Sequence, residues 1–208
     1  MVADRPLRRD AELNRRRIIA AAREVFGQRG MAATLDDVAR HAGLGVGTVY
    51  RRFANKEELA DAVFADIIDT VDEIGRAAAA EPDAWHGLAA SLEKVCELQA
   101  FDRGLREVML GTGPGPRRMA GVGARLGPTL RMLVARAKEQ GSLRADVHEG
   151  DVLVIQLMVA AVTDRTGRPD LWRRYLRLVL DGMRAEPGAA TELPVAGISP
   201  RDLMRDSQ

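Results

Sequence analysis

A short run of hydroxyl and basic side chains is the part of this sequence best suited to bind an anion. It consists of Thr48, Tyr50, Arg51, Arg52 and Lys56. Their hydroxyl, phenol, guanidinium and ammonium groups all donate hydrogen bonds that phosphate oxygens accept. Gly45, Val46 and Gly47 precede the run, and backbone amides at the start of a helix bind anions when no large side chain covers them. The pattern therefore predicts a surface that binds the phosphate backbone of DNA.

Two short helices joined by a tight turn are predicted to position these groups. Thr34 followed by Asp37 is a capping-box pattern, which begins a helix over about 35–41. Gly43 ends that helix, because glycine tolerates the positive φ of such turns. A second helix over about 46–53 is about 12 Å long, which matches a major groove about 12 Å wide. Small and apolar residues occupy the contact positions between the helices, so the layout is that of a helix-turn-helix.

The same segment also fits a simpler interpretation, a corner of small residues whose basic face is only solvated. The distribution of charge favours DNA binding. Residues 1–56 carry 12 Lys and Arg against 6 Asp and Glu, a net charge of +6, whereas residues 57–208 carry 19 against 24, a net charge of −5. A basic first quarter on an acidic remainder indicates nucleic acid at one end of the chain. The N-terminal arginines are expected to reach the DNA backbone or minor groove.

The whole chain is predicted to be all-α, with about nine helices and no sustained strand-like alternation. The expected domains are a basic arm over 1–11, a helix-turn-helix domain over 12–56, a helical ligand-binding and dimerisation domain over 57–185 and a flexible tail over 186–208. Glycine and proline are dense over 111–128, which predicts a loop that is either a mobile lid or an ordinary surface loop. The longest apolar run, 152–162, is too short for a membrane span, which needs about 20 residues.

Residues 34–59, with the sequence T-L-D-D-V-A-R-H-A-G-L-G-V-G-T-V-Y-R-R-F-A-N-K-E-E-L, resemble the N-terminal signature of the TetR family of transcriptional regulators. The matching positions are Thr34, Val38, Ala39, Ala42, Gly43, Gly47, Thr48, Tyr50, Phe53, Lys56, Glu57 and Leu59. The residues that the resemblance implies as DNA contacts, mostly to phosphate, are Thr34, Gly47, Thr48, Tyr50, Arg51, Arg52 and Lys56. The chain departs from the family at Gly45, where a hydroxyl residue is common. Residues 96–109 and 171–184 resemble the SbtR-like branch of that family.

The resemblance also implies a homodimer with a small-molecule cavity in each C-terminal domain. The helix over about 150–164 is apolar almost all round, so it needs cover either from a partner subunit or as the central helix of one bundle. The residues expected at a dimer interface are Val152, Ile155, Val159, Trp172, Leu176, Val179 and Met183. The residues expected around a ligand are Trp85, Cys96, Gln99, Phe101, Met109, Met132 and Met158. Plain core packing explains each of these ligand candidates as well.

The sequence indicates no catalytic, metal or cofactor site. His41, His86 and His148 are scattered and lack ligand spacing with one another or with Cys96. Cys96 is the single cysteine, and we expect it to be buried rather than nucleophilic. No glycine pattern matches a P-loop or a dinucleotide-binding fold. A cytoplasmic protein without membrane attachment is expected, because the basic N-terminus does not resemble a signal peptide.

We therefore expect a repressor that binds a palindromic operator in double-stranded DNA as a homodimer and is released by a small molecule. An activator or a ligand-independent regulator fits the same sequence. A small helical enzyme with an incidental basic N-terminus is a remote alternative. It would require a constellation of acid, base or nucleophile that the sequence does not display.

Overall fold

The fold is that of a computed structural model, which describes the backbone of residues 4–109, 116–186 and 193. Side chains are described for the same residues except 4–9, 108–109 and 116–121. Within these ranges the chain forms nine α-helices, one 3-10 turn at Gly30–Ala32 and no β-strand. The helices are α1 (Asp4–Arg29), α2 (Leu35–Ala42), α3 (Val46–Tyr50), α4 (Lys56–Ala79), α5 (Ala84–Phe101), α6 (Arg103–Met109), α7 (Pro116–Glu139), α8 (Glu149–Thr166) and α9 (Trp172–Met183). The predicted all-α class is confirmed.

The helices α1, α2 and α3 and the first half of α4 share one apolar core, and we call this unit the head. Its buried residues include Ile18, Ala22, Phe26, Val38, Val49, Phe53, Leu59 and Val63. The capping box predicted for α2 is confirmed, because the Thr34 hydroxyl accepts from the Asp37 amide at 3.2 Å and the Asp37 carboxylate accepts from the Thr34 amide at 3.0 Å. Gly43 ends α2 with φ +61°, as predicted.

The long helix α4 connects the head to a second apolar core, formed mainly by α5, α7, α8 and α9, which we call the bundle. Asn55 begins α4 by accepting from the Glu58 amide at 2.8 Å. The bundle core includes Trp85, Leu88, Leu92, Cys96, Leu133, Val152, Ile155, Val159, Trp172 and Leu176. Each core supplies the tertiary packing that stabilises helices too short to form alone.

The loop predicted over 111–128 is wrong for residues 116–128, which belong to α7. Tertiary contacts with α4 explain why this glycine-rich segment is helical. Arg125 forms ion pairs with Asp69 at 2.5 Å and Asp72 at 3.6 Å. Gly75 lets the helices approach closely, since a Cβ there would lie 3.0 Å from Thr129 Cγ2. Long-range packing of this kind outweighs local propensity.

The ends of several other elements also differ from the prediction. α1 begins at Asp4, so most of the residues assigned to a basic arm continue the helix instead. α3 ends at Tyr50 rather than near Phe53, and the next residues form a turn in which the Arg52 amide donates to the Val49 carbonyl. The predicted tail lies outside the described residues beyond Glu186, apart from Leu193.

Two negative findings concern the described ranges. Every helix there is too short or too polar to cross a bilayer. No three of the described His, Cys, Asp and Glu side chains come together in a way that holds a metal ion.

We expect Thr34→Ala to lower the free energy of unfolding by about 1 kcal/mol, since the variant loses the side-chain cap of α2. Thermal unfolding followed by circular dichroism measures the change. Thr70→Ala is the matched control, because the Thr70 hydroxyl bonds to the Asp66 carbonyl inside α4 and caps no helix. Equal melting temperatures for Thr34→Ala and the wild type would show that the capping box does not stabilise the head.

Candidate nucleic-acid interface

The turn between α2 and α3 is closed by backbone hydrogen bonds that require glycine. The Gly43 amide donates to the Arg40 carbonyl at 3.2 Å, and the Leu44 amide donates to the Ala39 carbonyl at 3.0 Å. A residue with a Cβ is strained at the positive φ of Gly43. Ala39 and Val49 are fully buried where the two helices meet. α3 is therefore fixed against α2 in one orientation.

One side of α3 and of the turn that follows it is open to solvent. Val46 is 43% exposed and Tyr50 is 50% exposed. Arg51 and Arg52 are exposed as well. Within the described part of the chain, the Arg52 guanidinium forms no hydrogen bond or ion pair. The surface thus combines an apolar side chain, a phenol and two guanidinium groups, a composition suited to a polyanion with apolar base edges.

Gly47 lies at the centre of this surface, and the protein's own packing does not require a glycine there. A Cβ at Gly47 would meet nothing within 4 Å. Its backbone is helical, with no positive φ. A glycine inside a helix costs roughly 0.5–1 kcal/mol relative to alanine. A close approach of another molecule to the backbone of α3 gives this glycine a reason.

Four of the predicted contact residues already use part of their hydrogen-bonding capacity within the protein, and one is Arg51, whose Nη2 donates to the Thr48 hydroxyl at 3.3 Å. The Thr48 amide, predicted to be free at the start of α3, donates to the Gly45 carbonyl at 2.8 Å because the first turn is tight. The Thr34 hydroxyl both donates to and accepts from Asp37. Lys56 Nζ donates to the Met31 carbonyl at 2.7 Å, which leaves two of its three N–H groups for another acceptor.

Exposed polar contacts on the head join α2 to α1. Arg29 contacts Asp37 at 3.1 Å, and His41 lies 2.7 Å from Glu24 of α1. Hydrogen bonds from the Thr34 amide and hydroxyl, with smaller contributions from Arg29 and Arg40, hold the pKa of Asp37 below its usual value. The capping carboxylate therefore stays ionised well into the acidic range.

The 3-10 turn between α1 and α2 is the point at which the bundle contacts the head through hydrogen bonds. The Met31 amide donates to Glu107 Oε2 of α6 at 2.7 Å, and the Met31 carbonyl accepts from Lys56. Gly30 has φ +65°, and a Cβ there would overlap the Glu107 carboxylate. Arg103 donates to the other Glu107 oxygen at 2.9 Å. The sequence analysis missed this link because its partners are 76 residues apart.

The structure does not bring the residues predicted for a ligand pocket together. Trp85, Cys96 and Gln99 are buried in the bundle, and burial raises the pKa of the Cys96 thiol to about 12, as expected for an inert cysteine. The exposed ones are Phe101, Met132 and Met158. They face solvent because helical spacing identifies an apolar residue but not the side on which its helix packs. The Met109 side chain lies outside the described residues.

Most of the residues predicted for a dimer interface lie in the core of the same chain. The buried ones are Val152, Ile155, Val159, Trp172, Leu176 and Met183, whereas Val179 is half-buried. The opposite face of α8 and one edge of α9 expose apolar side chains instead. They are Leu153, Val154, Leu157, Met158 and Leu178. An all-round apolar helix does not reveal which of its faces is internal, so most of the predicted residues belong to the face that packs inside the chain.

A groove of about 380 Å³ runs between α8 and α9 next to that exposed face. Val154, Val179 and Gly182 form part of its wall. Arg144 and Asp146 stand at its polar end, joined by two hydrogen bonds of 3.0 and 2.7 Å. None of the residues predicted for a ligand pocket lines this groove.

Two family models match the chain in succession. Residues 18–63 match the model described as bacterial regulatory proteins of the tetR family. Residues 81–185 match the model described as the C-terminal domain of SbtR-like transcriptional regulators. The first match contains the α2–α3 corner, and the second contains α5 to α9.

Individual relatives agree with the family matches. The HTH-type transcriptional regulator TtgR of Pseudomonas putida is 38% identical over 80 residues, which is 38% of each chain. A TetR transcription regulatory protein from Mycobacterium vanbaalenii has a crystal structure similar to this one, with 32% identity and a TM-score of 0.63 over 86% of this chain and 99% of that chain. The structure of RolR with the ligand resorcinol shares the fold, with 20% identity and a TM-score of 0.59 over 90% of this chain and 98% of RolR.

Proposed function

Because the chain belongs to the TetR family of transcriptional regulators, we propose that it is a cytoplasmic homodimeric repressor, released from a palindromic operator by a small molecule. Membership of the family makes the chain a regulator with a DNA-binding domain and not an enzyme. The dimer, the repression and the release belong to our proposal. The exposed apolar face of α8 and α9 supports the dimer, and the contact between Glu107 and Met31 supports the release.

The proposed DNA contacts are those on and beside the open side of α3. They are Thr34, Gly45, Val46, Gly47, Thr48, Tyr50, Arg51, Arg52 and Lys56. Arg51, Arg52 and the remaining N–H groups of Lys56 would bind phosphates, and the Tyr50 phenol would donate to a phosphate oxygen. Thr34 would contribute mainly as the cap that orients α2. Gly47 carries the proposal, because its missing side chain is explained by a DNA strand close to the helix backbone and by nothing inside the protein.

The proposed dimer interface is the exposed apolar face of α8 and α9. Leu153, Val154 and Leu157 of α8 are each 41% exposed or more, although they are large apolar residues. Contiguous exposed apolar patches of this kind mark surfaces that a partner covers. A symmetric partner buries the same patch on both subunits and places the two heads side by side. Two α3 helices in successive major grooves must lie about 34–36 Å apart.

The proposed release mechanism uses the connection between bundle and head. A small molecule that binds better to a different arrangement of the bundle shifts the population of heads away from the spacing that DNA requires. Glu107 and Met31 provide a direct hydrogen-bonded contact for that shift. RolR, which has the same fold, is described with resorcinol bound, and this supports the proposal that the bundle of this chain holds a small molecule too.

We expect Gly47→Ala to weaken operator binding at least tenfold while raising the free energy of unfolding by roughly 0.5 kcal/mol, since alanine favours the helix but its methyl group separates α3 from DNA. The binding is measured by fluorescence anisotropy, with operator fragments that are first selected from a random DNA pool. Gly123→Ala is the matched control, because Gly123 is also helical with open space around it but lies in α7 of the bundle. Undiminished operator affinity in Gly47→Ala would contradict the assignment of α3 to DNA.

We expect Leu157→Glu to convert the dimer into a monomer, because two carboxylates would be buried against each other at the symmetric interface. Sedimentation velocity at micromolar concentration measures the mass. Leu13→Glu is the control, as it places the same charge on an exposed leucine of the head. A dimer that persists in Leu157→Glu, with helix content equal to the wild type, would rule out the α8–α9 face.

A further inference from the structure

The buried side-chain atoms that lack a hydrogen-bond partner are concentrated in one part of the bundle. In the described part of the chain they are Gln99 Oε1, Arg106 Nε, Thr163 Oγ1 and Trp172 Nε1. Gln99, Thr163 and Trp172 are all at least 97% buried. Buried polar groups are nearly always paired in folded proteins, so each of these atoms requires an explanation.

These residues lie on α5, α6, α8 and α9, helices that pack on one another, and we call them the polar cluster. Gln99 Nε2 of α5 donates to Gln156 Oε1 of α8 at 2.6 Å, and this bond leaves Gln99 Oε1 unused. Arg106 of α6 donates through Nη1 to the backbone carbonyl of Gln99 at 2.8 Å. Thr163 is on the same face of α8 as Gln156, two turns or about 10 Å further along.

Trp172 joins the polar cluster at the start of α9, directly after the short connection from the end of α8. Arg173 beside it forms ion pairs with Glu93 at 3.2 Å and Glu97 at 2.6 Å, which hold the start of α9 against α5. Trp172 belongs to the same apolar core as Cys96 and Val159. The polar cluster is thus a set of hydrogen-bonding atoms between apolar walls.

The Thr163 hydroxyl lacks the hydrogen bond within its own helix that a helical threonine usually forms. A threonine inside a helix usually donates to the carbonyl four residues earlier. Thr166 does so with Val162 at 2.6 Å, and Thr70 does so with Asp66 at 3.0 Å. Thr163, on the same helix as Thr166, forms no such bond. Its hydroxyl is available to a partner outside the helix.

We propose that the polar cluster is the effector site, and that its effector is a compact uncharged molecule with an apolar body, a hydrogen-bond donor at one end and an acceptor at the other. The donor of the effector would bond to Gln99 Oε1. Its acceptor would accept a hydrogen bond from Trp172 Nε1 or from Arg106 Nε. Thr163 can serve either end. This inference rests on the proposed function, since it assigns a site and a ligand class to the proposed release by a small molecule.

The charges around the polar cluster favour an uncharged effector. Asp102 and Asp164 lie close enough to Arg106 to interact with its charge, which burial otherwise disfavours. Glu107 adds a third carboxylate and Arg103 a second guanidinium near Arg106. Since carboxylates already offset the positive charge there, an anionic ligand would bring an additional buried charge. The rise of about 10 Å from Gln156, which holds Gln99, to Thr163 fits one aromatic ring with a substituent at each end. Phenols that bear a carbonyl group in the para position have this shape.

Arg106 also connects the polar cluster to the DNA-binding head. It is half-buried on α6, so this helix forms the side of the cluster nearest to solvent. The next residue, Glu107, accepts from the Met31 amide in the turn before α2. An effector that moves Arg106 therefore moves the helix that contacts the head. Effector binding and operator binding are expected to oppose each other to the same extent.

Thermal unfolding of the ligand-free full-length protein tests whether the Thr163 hydroxyl is unpaired. Thr163→Val keeps the shape of the side chain and removes an unpaired polar group, so we expect the melting temperature to rise by about 2–4 °C. Thr166→Val is the matched control on the same helix, and it is expected to lower the melting temperature because its hydroxyl is bonded. A lower melting temperature for Thr163→Val would show that its hydroxyl has a structural partner, and the proposal would be wrong.

Calorimetric titration of the same protein tests the ligand class with 4-hydroxybenzamide, 4-hydroxybenzaldehyde and 4-hydroxyacetophenone. We expect saturable binding, about tenfold weaker in Thr163→Val and unchanged in Thr166→Val, and weaker binding of phenol and benzamide, which keep only one polar end. If none of the three probes binds while the protein still binds its selected operator, the effector assignment fails and the DNA-binding assignment stands. Absence of operator binding would instead overturn the proposed function.

Discussion

The turn that leads from α1 into α2 is held by the hydrogen bonds of one backbone residue, Met31. Its amide donates to Glu107 of the bundle, and its carbonyl accepts from Lys56 at the start of α4. Both bonds are 2.7 Å long and partly buried, and both partners are ionisable side chains, which makes such bonds stronger than neutral ones. The turn that leads into α2 is consequently held from both sides. Since α3 is fixed to α2 through Gly43, the position of the DNA-binding surface follows from this arrangement.

Gly47 and the polar cluster both reduce stability without a reason inside the described part of the fold. Gly47 occupies a helical position with open space around it, where alanine would stabilise α3. The polar cluster leaves hydrogen-bonding atoms unpaired among apolar walls. Proteins keep such residues where function requires them, because the remaining core supplies sufficient stability. The two regions are at opposite ends of the path from α8 through α6 and Met31 to α3. Our account assigns one of them to DNA and the other to the effector.

Local signals in the sequence predicted the head well. Thr34 with Asp37 and Gly43 act through neighbours within a few residues, so their spacing alone identified the two ends of α2. The family signature added which residues would face DNA. These contact roles remain predictions, although the structure does place Val46, Gly47, Tyr50 and Arg52 on an open surface.

The bundle was harder to predict because its geometry depends on distant contacts. α7 is helical through its packing on Gly75 and its ion pairs with Asp69 and Asp72, although its own composition favours a loop. The apolar pattern of α8 has no preferred side, so it did not reveal which face packs inside the bundle and which is exposed. Glu107 has no local feature that indicates its bond to Met31. These failures share one physical cause, which is that helical periodicity does not determine how a helix is rotated against its neighbours.

The central claim is that two symmetric heads place their α3 helices on DNA. Hydroxyl-radical footprinting on a selected operator tests it most directly. The account predicts two protected patches related by two-fold symmetry, with centres separated by about 10 base pairs or a multiple of that distance. It also predicts that the protected deoxyribose groups belong to the two strands that border each major groove. A single patch, or an asymmetric one without a helical repeat, would contradict it.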